Sequence, residues 1–433
     1  MARQGILISA PASGCGKTLV TLALLRLLAR RGMKVTPAKS GPDYIDPGFH
    51  RLACGHESVN LDAYAMQPQT ILRLAGRGEG LLAVEGAMGL FDGAANGRGS
   101  AAELARLLGL PVILVVDCAR QAQSVAALVH GFAMHDPSIR IGGLILNRVG
   151  SRRHEAMMRS ALEPLDIPVL AALPAEPSLA IPSRHLGLVR AEELGAAVER
   201  LSDRAADWLE AALDLDRLLD IAGRAVMPAG DGPAPRLPPP GARVAVARDD
   251  AFAFAYPHLL AGWRDAGAEI SFFSPLGDEG PDNGADAIYL PGGYPELHAG
   301  RIAGAAGFRA GMAAAAMRGA LVYGECGGYM VLGDGMVDGE GNRHAMLGML
   351  PLETSVETPR RHLGYRQAAR TGDAPFWAAA VAAHEFHYAS ILSEGDAGRL
   401  FCASDATGQP LGALGLYRGR VMGSFLHVID GVG

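Results

Sequence analysis

Residues 10–18 read APASGCGKT, between a buried apolar run, Gly5–Ala10, and a helical pattern, Thr18–Arg31. A glycine-rich turn between strand and helix that ends in Lys-Thr is a phosphate loop in its proper context. Gly14 and Gly16 let successive backbone N–H groups converge on phosphate oxygens, and the helix adds the positive end of its dipole. Ser13 lies on the same turn, Lys17 can reach the terminal phosphates, and the Thr18 hydroxyl can ligate Mg²⁺. The general pattern GxxxxGK[ST] wants glycine at 11, where this chain has Pro11, so the loop is a shorter variant. A loop of this kind demands a parallel sheet whose strand ends share one edge.

The surrounding sequence supplies that sheet. Val35–Ala38, Leu81–Glu85, Val112–Asp117 and Gly143–Asn147 read as further strands, with a helix near Ala102–Leu108. Alternation of this kind gives an α/β layer structure. The edge rule brings three more segments to the phosphate loop. In KSGPDYIDPGF (39–49), Lys39, Asp43, Tyr44 and Asp46 fall on a loop after a strand. In LLAVEGAMGLFDG (81–93), Glu85 ends a strand and suits Mg²⁺, with Asp92 following on the glycine-rich loop. Asn147 is placed to hydrogen-bond the adenine. Only three lysines occur, and Lys17 and Lys39 both fall in these segments.

At 433 residues the chain suits two domains. The expected division is 1–226, a Pro/Gly-rich linker 227–242 built around MPAGDGPAPRLPPPG, and 243–433. A helical stretch, about Ala191–Ala222, closes the first part. A net charge of −6 without a basic run points away from nucleic acid. No apolar stretch approaches the roughly 20 residues of a membrane span. Five scattered cysteines with no metal-ligand spacing, and no secretory signal, suit a reducing cytoplasm.

A second strand-helix series follows: strands Arg243–Ala247, Glu269–Phe273, Ala287–Leu290 and Ala320–Tyr323, a helix Tyr256–Ala266, then hairpins to the end. LVYGECGGYMVLG (321–333) has the form of a nucleophile elbow with Cys326 at its tip. The helix behind it should lower the thiol pKa. Gly327 with Gly292 and Gly293, in YLPGGYPE (289–296), could supply oxyanion-hole N–H groups. The thiol needs a base; His427 in GSFLHVID is the first candidate, with His384 and His387 in HEFHYAS as rivals.

Together these segments, with SRHLGL (183–188), resemble the cobyrinic and hydrogenobyrinic acid a,c-diamide synthases. The phosphate loop is similar to that of dethiobiotin synthetase and its relatives, and the second half to class I, triad-type glutamine amidotransferases. The resemblance implies an ATP- and glutamine-dependent ligase. It amidates the a and c acetates of a corrin through an acyl phosphate, with Mg²⁺ and ATP, and with ammonia from a Cys326–His427 glutaminase. The resemblance also implies that Lys39 binds ATP, that Asp46 and Glu85 hold the metal, and that Asp43, Tyr44 and Asp92 lie by the corrin carboxylate and its acyl phosphate. Most of that class carry Glu two residues after the histidine. Here the position is Ile429, so another group must orient the imidazole, and Glu385 is the candidate. The fold family suggests a homodimer. Other readings on the same residues are a nickel or cobyric acid type of tetrapyrrole amidation and a partitioning-type ATPase that makes no amide.

Overall fold

The computed structural model describes residues 4–179, 191–225 and 237–432, with backbone alone at 191–194. The segment SRHLGL (183–188) and positions 227–236 of the expected linker lie outside them. The chain divides into two compact units, Met1–Pro233 and Ala234–Gly433.

In the first unit the strands are β1 (Gly5–Ser9), β2 (Val35–Ser40), β3 (Val59–Leu61), β4 (Leu81–Glu85), β5 (Val112–Asp117), β6 (Ile141–Val149) and β7 (Val169–Pro174). Among the described residues they form one parallel sheet in the order β3-β2-β4-β1-β5-β6-β7. The central strands are apolar throughout and fully buried, as a sheet covered on both faces requires. The order reverses at β1, so the loop after β1 opens at the switch point where α/β sheets bind ligands. Helix α1 (Lys17–Arg30) follows that loop, and α2 (Asp46–Cys54) follows β2. The sheet carries two residues closer together than a loop would. Lys39 lies inside β2, directly beside Glu85 of β4, and Asp46 opens α2 rather than ending a loop. The expected closing helix is two, Ala191–Glu210 and Leu215–Ala222; Asp214 caps the second through the Arg217 N–H.

The second unit begins with β8 (Arg243–Ala247), β9 (Glu269–Phe273), β10 (Ala287–Leu290) and β11 (Leu321–Glu325), all parallel. Next come β12 (Gly335–Val337), β13 (Arg343–Ala345), β14 (Leu352–Ser355), β15 (His362–Arg370), β16 (Ala380–His387) and β17 (Ser390–Glu394). The chain finishes with β18 (Gly398–Asp405), β19 (Pro410–Arg418), β20 (Val421–Ser424) and β21 (Leu426–Gly431). The described residues give a ten-stranded mixed sheet, β21-β16-β15-β18-β19-β20-β11-β10-β8-β9, and a small sheet, β13-β12-β14-β17. β11 thus has β10 on one side and β20 on the other.

Candidate active sites

In the first unit, Gly14 and Gly16 take φ of 84° and 95°, the region glycine enters without strain. Gly16 is also sterically fixed, since a Cβ there would stand 2.3 Å from the Asn147 amide nitrogen. Asn147 donates to the Cys15 carbonyl at 2.9 Å and accepts from the Arg148 N–H. In this structure it therefore braces the phosphate loop. Lys17 is buried and donates to the Met88 carbonyl. Burial lowers its pKa, and the nearby Glu85 works the other way. Ser13 is exposed on the turn. A cleft of about 460 Å³ beside the loop is lined by Gly14, Gly16, Thr18, Asn147, Arg148 and Trp208, among others.

Glu85 is the centre of the polar cluster. It is wholly buried and accepts from Thr18 Oγ1 (2.6 Å), Lys39 Nζ (3.0 Å) and His50 Nε2 (2.7 Å). Burial opposes its ionisation, but the Lys39 charge and the His50 and Thr18 hydrogen bonds hold its carboxyl well below the usual range. Lys39 also bonds Asp46 and stands 3.9 Å from Asp43. One ammonium thus faces three carboxylates. The excess negative charge shows in Asp46, which burial, Asp43 and Glu85 push well above the usual carboxylate range. Asp43 also turns the chain into α2 by accepting from the Ile45 and Asp46 N–H groups. Tyr44 lies half-buried between them. Asp92 is exposed and uses one oxygen to close its own turn on the Gly89 N–H. Among the described residues no hydrogen bond or ion pair joins Asp92 to the Lys39 cluster. His50 escaped the sequence reading; its other ring nitrogen meets Ser58 Oγ at 3.0 Å, so Ser58, His50 and Glu85 form a buried chain.

In the second unit, Cys326 occupies the turn between β11 and a six-residue helix, Gly327–Leu332, with φ 47° and ψ −106°. Such a conformation is strained for a residue with a side chain and is typical of functional turns. Three glycines make room. A Cβ on Gly328 would lie 2.0 Å from the Leu290 carbonyl, one on Gly293 2.1 Å from the Ala251 carbonyl, and one on Gly327 2.6 Å from Pro295. Gly292 is the contact point of the pair: a Cβ there would lie 2.4 Å from His427 Cε1 and 3.4 Å from Cys326 Cβ. His427 is therefore the imidazole at the elbow. His387 is engaged elsewhere, with Nδ1 on the Ala389 carbonyl and Nε2 on Glu385, both at 3.0 Å. His384 is paired across the ladder from His427 and packs against Tyr365.

Two expectations need correction. The resting Cys326 is not a low-pKa thiol. Burial pushes it well above the ordinary range, Glu296 adds to this, and the Gly327 N–H only partly compensates. Six residues of helix cannot offset that desolvation. Glu385 does not orient His427 either. Its carboxylate is taken by Arg366, at 2.8 and 2.6 Å, and by His387. His362, Glu385 and His387 bring their ligand-type atoms within 4.8 Å of one another, and the Arg366 ion pair accounts for that grouping. Burial, aided by His384 and His387, pulls the His427 pKa down to about 3, against the pull of the Phe386 carbonyl. The resting imidazole is thus neutral.

Residues 6–189 match the CobQ/CobB/MinD/ParA nucleotide binding domain, and residues 243–431 the CobB/CobQ-like glutamine amidotransferase domain. The chain is 58% identical over 431 residues to a hydrogenobyrinate a,c-diamide synthase of Brucella anthropi, covering 99% of this chain and 98% of the relative. It is 56% identical to one from a Sinorhizobium species and 51% identical to one from Rhodobacter capsulatus, covering 99% of each chain in both cases. The chain belongs to the hydrogenobyrinate a,c-diamide synthase family. As a member of that family it is a glutamine-hydrolysing carbon–nitrogen ligase of cobalamin biosynthesis, with a nucleotide-binding domain before its amidotransferase domain. Among the described residues no helix is long and apolar enough to cross a membrane.

Proposed function

We propose that the enzyme converts the a and c acetate carboxylates of hydrogenobyrinic acid to amides, using ATP in the first unit and glutamine in the second. The observation that supports this most directly is the pairing, in one chain, of a phosphate loop centred on Lys17, Thr18 and Glu85 with a Cys326–His427 elbow. The relatives' name supplies the corrin.

The glutaminase half follows from neutral partners. Sγ of Cys326 attacks the glutamine amide carbon as its proton passes to His427. The resulting oxyanion is met by the N–H groups of Gly327 and of Gly293 or Gly292. His427 then returns the proton to the departing nitrogen, releasing ammonia, and water cleaves the thioester to glutamate.

In the first unit the N–H groups of the loop, Ser13 to Gly16, with Lys17, cradle the triphosphate of ATP. The cleft bounded by Asn147, Arg148 and Trp208 is of a size for the nucleoside. Asn147 sets the loop's shape from behind. Thr18, Glu85 and Asp46 would hold Mg²⁺, since all offer oxygen and the carboxylates of Asp43, Asp46 and Glu85 crowd round Lys39. When bound, the cation neutralises charge on the transferring phosphoryl group. Lys39 orients Asp46 and Glu85, while Asp43, Tyr44 and Asp92 face the corrin carboxylate. That carboxylate becomes an acyl phosphate, and ammonia displaces the phosphate. We take the enzyme to work in the cytoplasm as a homodimer, without nucleic acid or membrane; sedimentation of the purified protein tests the dimer.

The deciding experiment incubates the enzyme with Mg-ATP, glutamine and either hydrogenobyrinic or cobyrinic acid, followed by mass spectrometry. Two carboxyl-to-amide conversions on hydrogenobyrinic acid, absent in Cys326→Ala with glutamine and present with ammonia, are expected. ATP hydrolysis without change in either corrinoid would overturn the substrate assignment.

A further inference from the structure

β21 carries His427 and is the end strand of its sheet. One edge pairs with β16, with Ala383 opposite Val428 and His384 opposite His427. Among the described residues its other edge has no strand paired to it, yet the whole of β21 is buried. A buried backbone N–H on such an edge must find an acceptor. The Val428 N–H finds Glu325 Oε1 at 3.1 Å, across 103 residues of sequence. Glu325 Oε2 accepts from the Tyr289 hydroxyl at 2.7 Å. The side chain is only 1% exposed. Tyr289 stands on β10, in register with Tyr323 of β11, and the two rings stack. The carboxyl is therefore fixed from one side by the sheet and grips the edge strand on the other.

Its place in the chain gives this grip a consequence. Glu325 is the last residue of β11 and the immediate neighbour of Cys326, while Val428 is the immediate neighbour of His427. One carboxyl thus spans the two peptides adjoining the nucleophile and its base. The Cys326 N–H donates to the Ser424 carbonyl at 2.9 Å, which fixes the elbow against β20 but not against β21. At Ile429, where most of the class has Glu, the ladder of β21 with β16 shifts register, and the side chain is apolar.

We propose that Glu325 is the positioning residue of the glutaminase: by holding the Val428 peptide, its carboxyl sets the reach from Cys326 to His427. The assignment rests on the Cys326–His427 reading above. Misplacing a catalytic group by about 1 Å can cost about 10²-fold in rate.

The test measures glutamine-dependent and ammonia-dependent amide formation in Glu325→Asp, Glu325→Gln and Tyr289→Phe, with Cys326→Ala as control. Asp keeps the charge and loses reach; Gln keeps reach and an acceptor oxygen. Glu325→Asp is expected to lose about 10²-fold in glutamine-dependent turnover with KM for glutamine within about threefold, and Gln to recover to within about tenfold of the parent. Tyr289→Phe, which releases only one anchor of the carboxyl, should fall about tenfold, and this milder variant decides the matter if the Asp chain does not fold. Ammonia-dependent synthesis should be unchanged throughout. Parental turnover in Glu325→Asp or in Tyr289→Phe would overturn the proposal. So would a Gln chain as impaired as the Asp chain, or a loss confined to KM. Glutamine-dependent activity surviving in Cys326→Ala would instead overturn the underlying glutaminase reading.

Discussion

Gly16 and Gly292 make parallel demands in two different chemistries. At Gly16 a methyl group would collide with the Asn147 side chain, and at φ 95° it would add backbone strain. At Gly292 it would drive into His427. Gly292→Ala is therefore expected to abolish glutamine-dependent synthesis while ammonia-dependent synthesis continues, as an amidation assay with either nitrogen source will show. His50 is a different case, because it belongs to a fully buried pair. His50→Leu removes the donor to Glu85 Oε2 and should destabilise the first unit by about 3 kcal/mol. Ser58→Ala, which removes only the outer link, should cost about 1 kcal/mol. Urea titrations followed by circular dichroism check both values. Lys17, Thr18 and Cys326 were legible in the sequence because glycines and a strand-helix switch flank them. His50 was not, since its partner Glu85 lies 35 residues away and nothing in FHRLAC advertises it. Glu325 was hidden in plain view beside Cys326, because its meaning depends on Val428 at the far end of the chain.

Among elements, β21 shows where pattern reading stops. Its sequence marks it as a strand-like run, and nine parallel strands were placed to within a few residues, but the short β3, the edge strand β7 and the individual hairpin strands from β12 onward were not. Which neighbour it pairs with, and what stops its free edge, depend on side chains from β11 and from the helix Pro257–Asp265. His258 of that helix donates to the Ile429 carbonyl at 2.8 Å, and burial brings its pKa down to about 4. Burial moves Glu325 the other way, up to about 7, against its hydrogen bonds from Tyr289 and Val428. The two groups tilt stability in opposite senses. A histidine depressed on folding withholds a proton that the unfolded chain binds, so its stability is complete above about pH 6.5 and is lost as pH falls towards about 4. A carboxyl raised on folding keeps a proton that the unfolded chain releases, so stability is lost as pH rises from about 4.5 through about 7. In Glu325→Gln that second loss disappears. Its melting temperature relative to the parent should climb between pH 5 and pH 8, with a limit of about 3 kcal/mol. Calorimetry across that range would detect the slope, and a constant difference would contradict it.

For the whole molecule, ammonia is the quantity that connects the two chemistries. Only the unprotonated form attacks an acyl phosphate. External ammonium should therefore support Cys326→Ala increasingly well as pH rises, whereas the parent with glutamine should show a much flatter profile. Parallel pH series on the two proteins, scored by corrin amide formed, would reveal the difference. The two-unit α/β plan was readable because glycine loops and apolar strands repeat in each half. The chemistry of the resting thiol was not, because desolvation is a property of the packed unit and overrides the local helix effect that the sequence suggests.

The contact between Lys17 and the Met88 carbonyl changes what it means for nucleotide to arrive. The ammonium does not wait in solvent. It is already docked on an oxygen, at a residue whose backbone is itself held at φ 47°. Binding is then a partner exchange, in which a multiply charged phosphate displaces a neutral carbonyl. The lysine's rotamer freedom is given up on folding, not on binding, which favours affinity. The released carbonyl leaves the EGAMG loop to settle anew, so occupancy at the phosphates is registered in the loop after β4, the strand paired with β1.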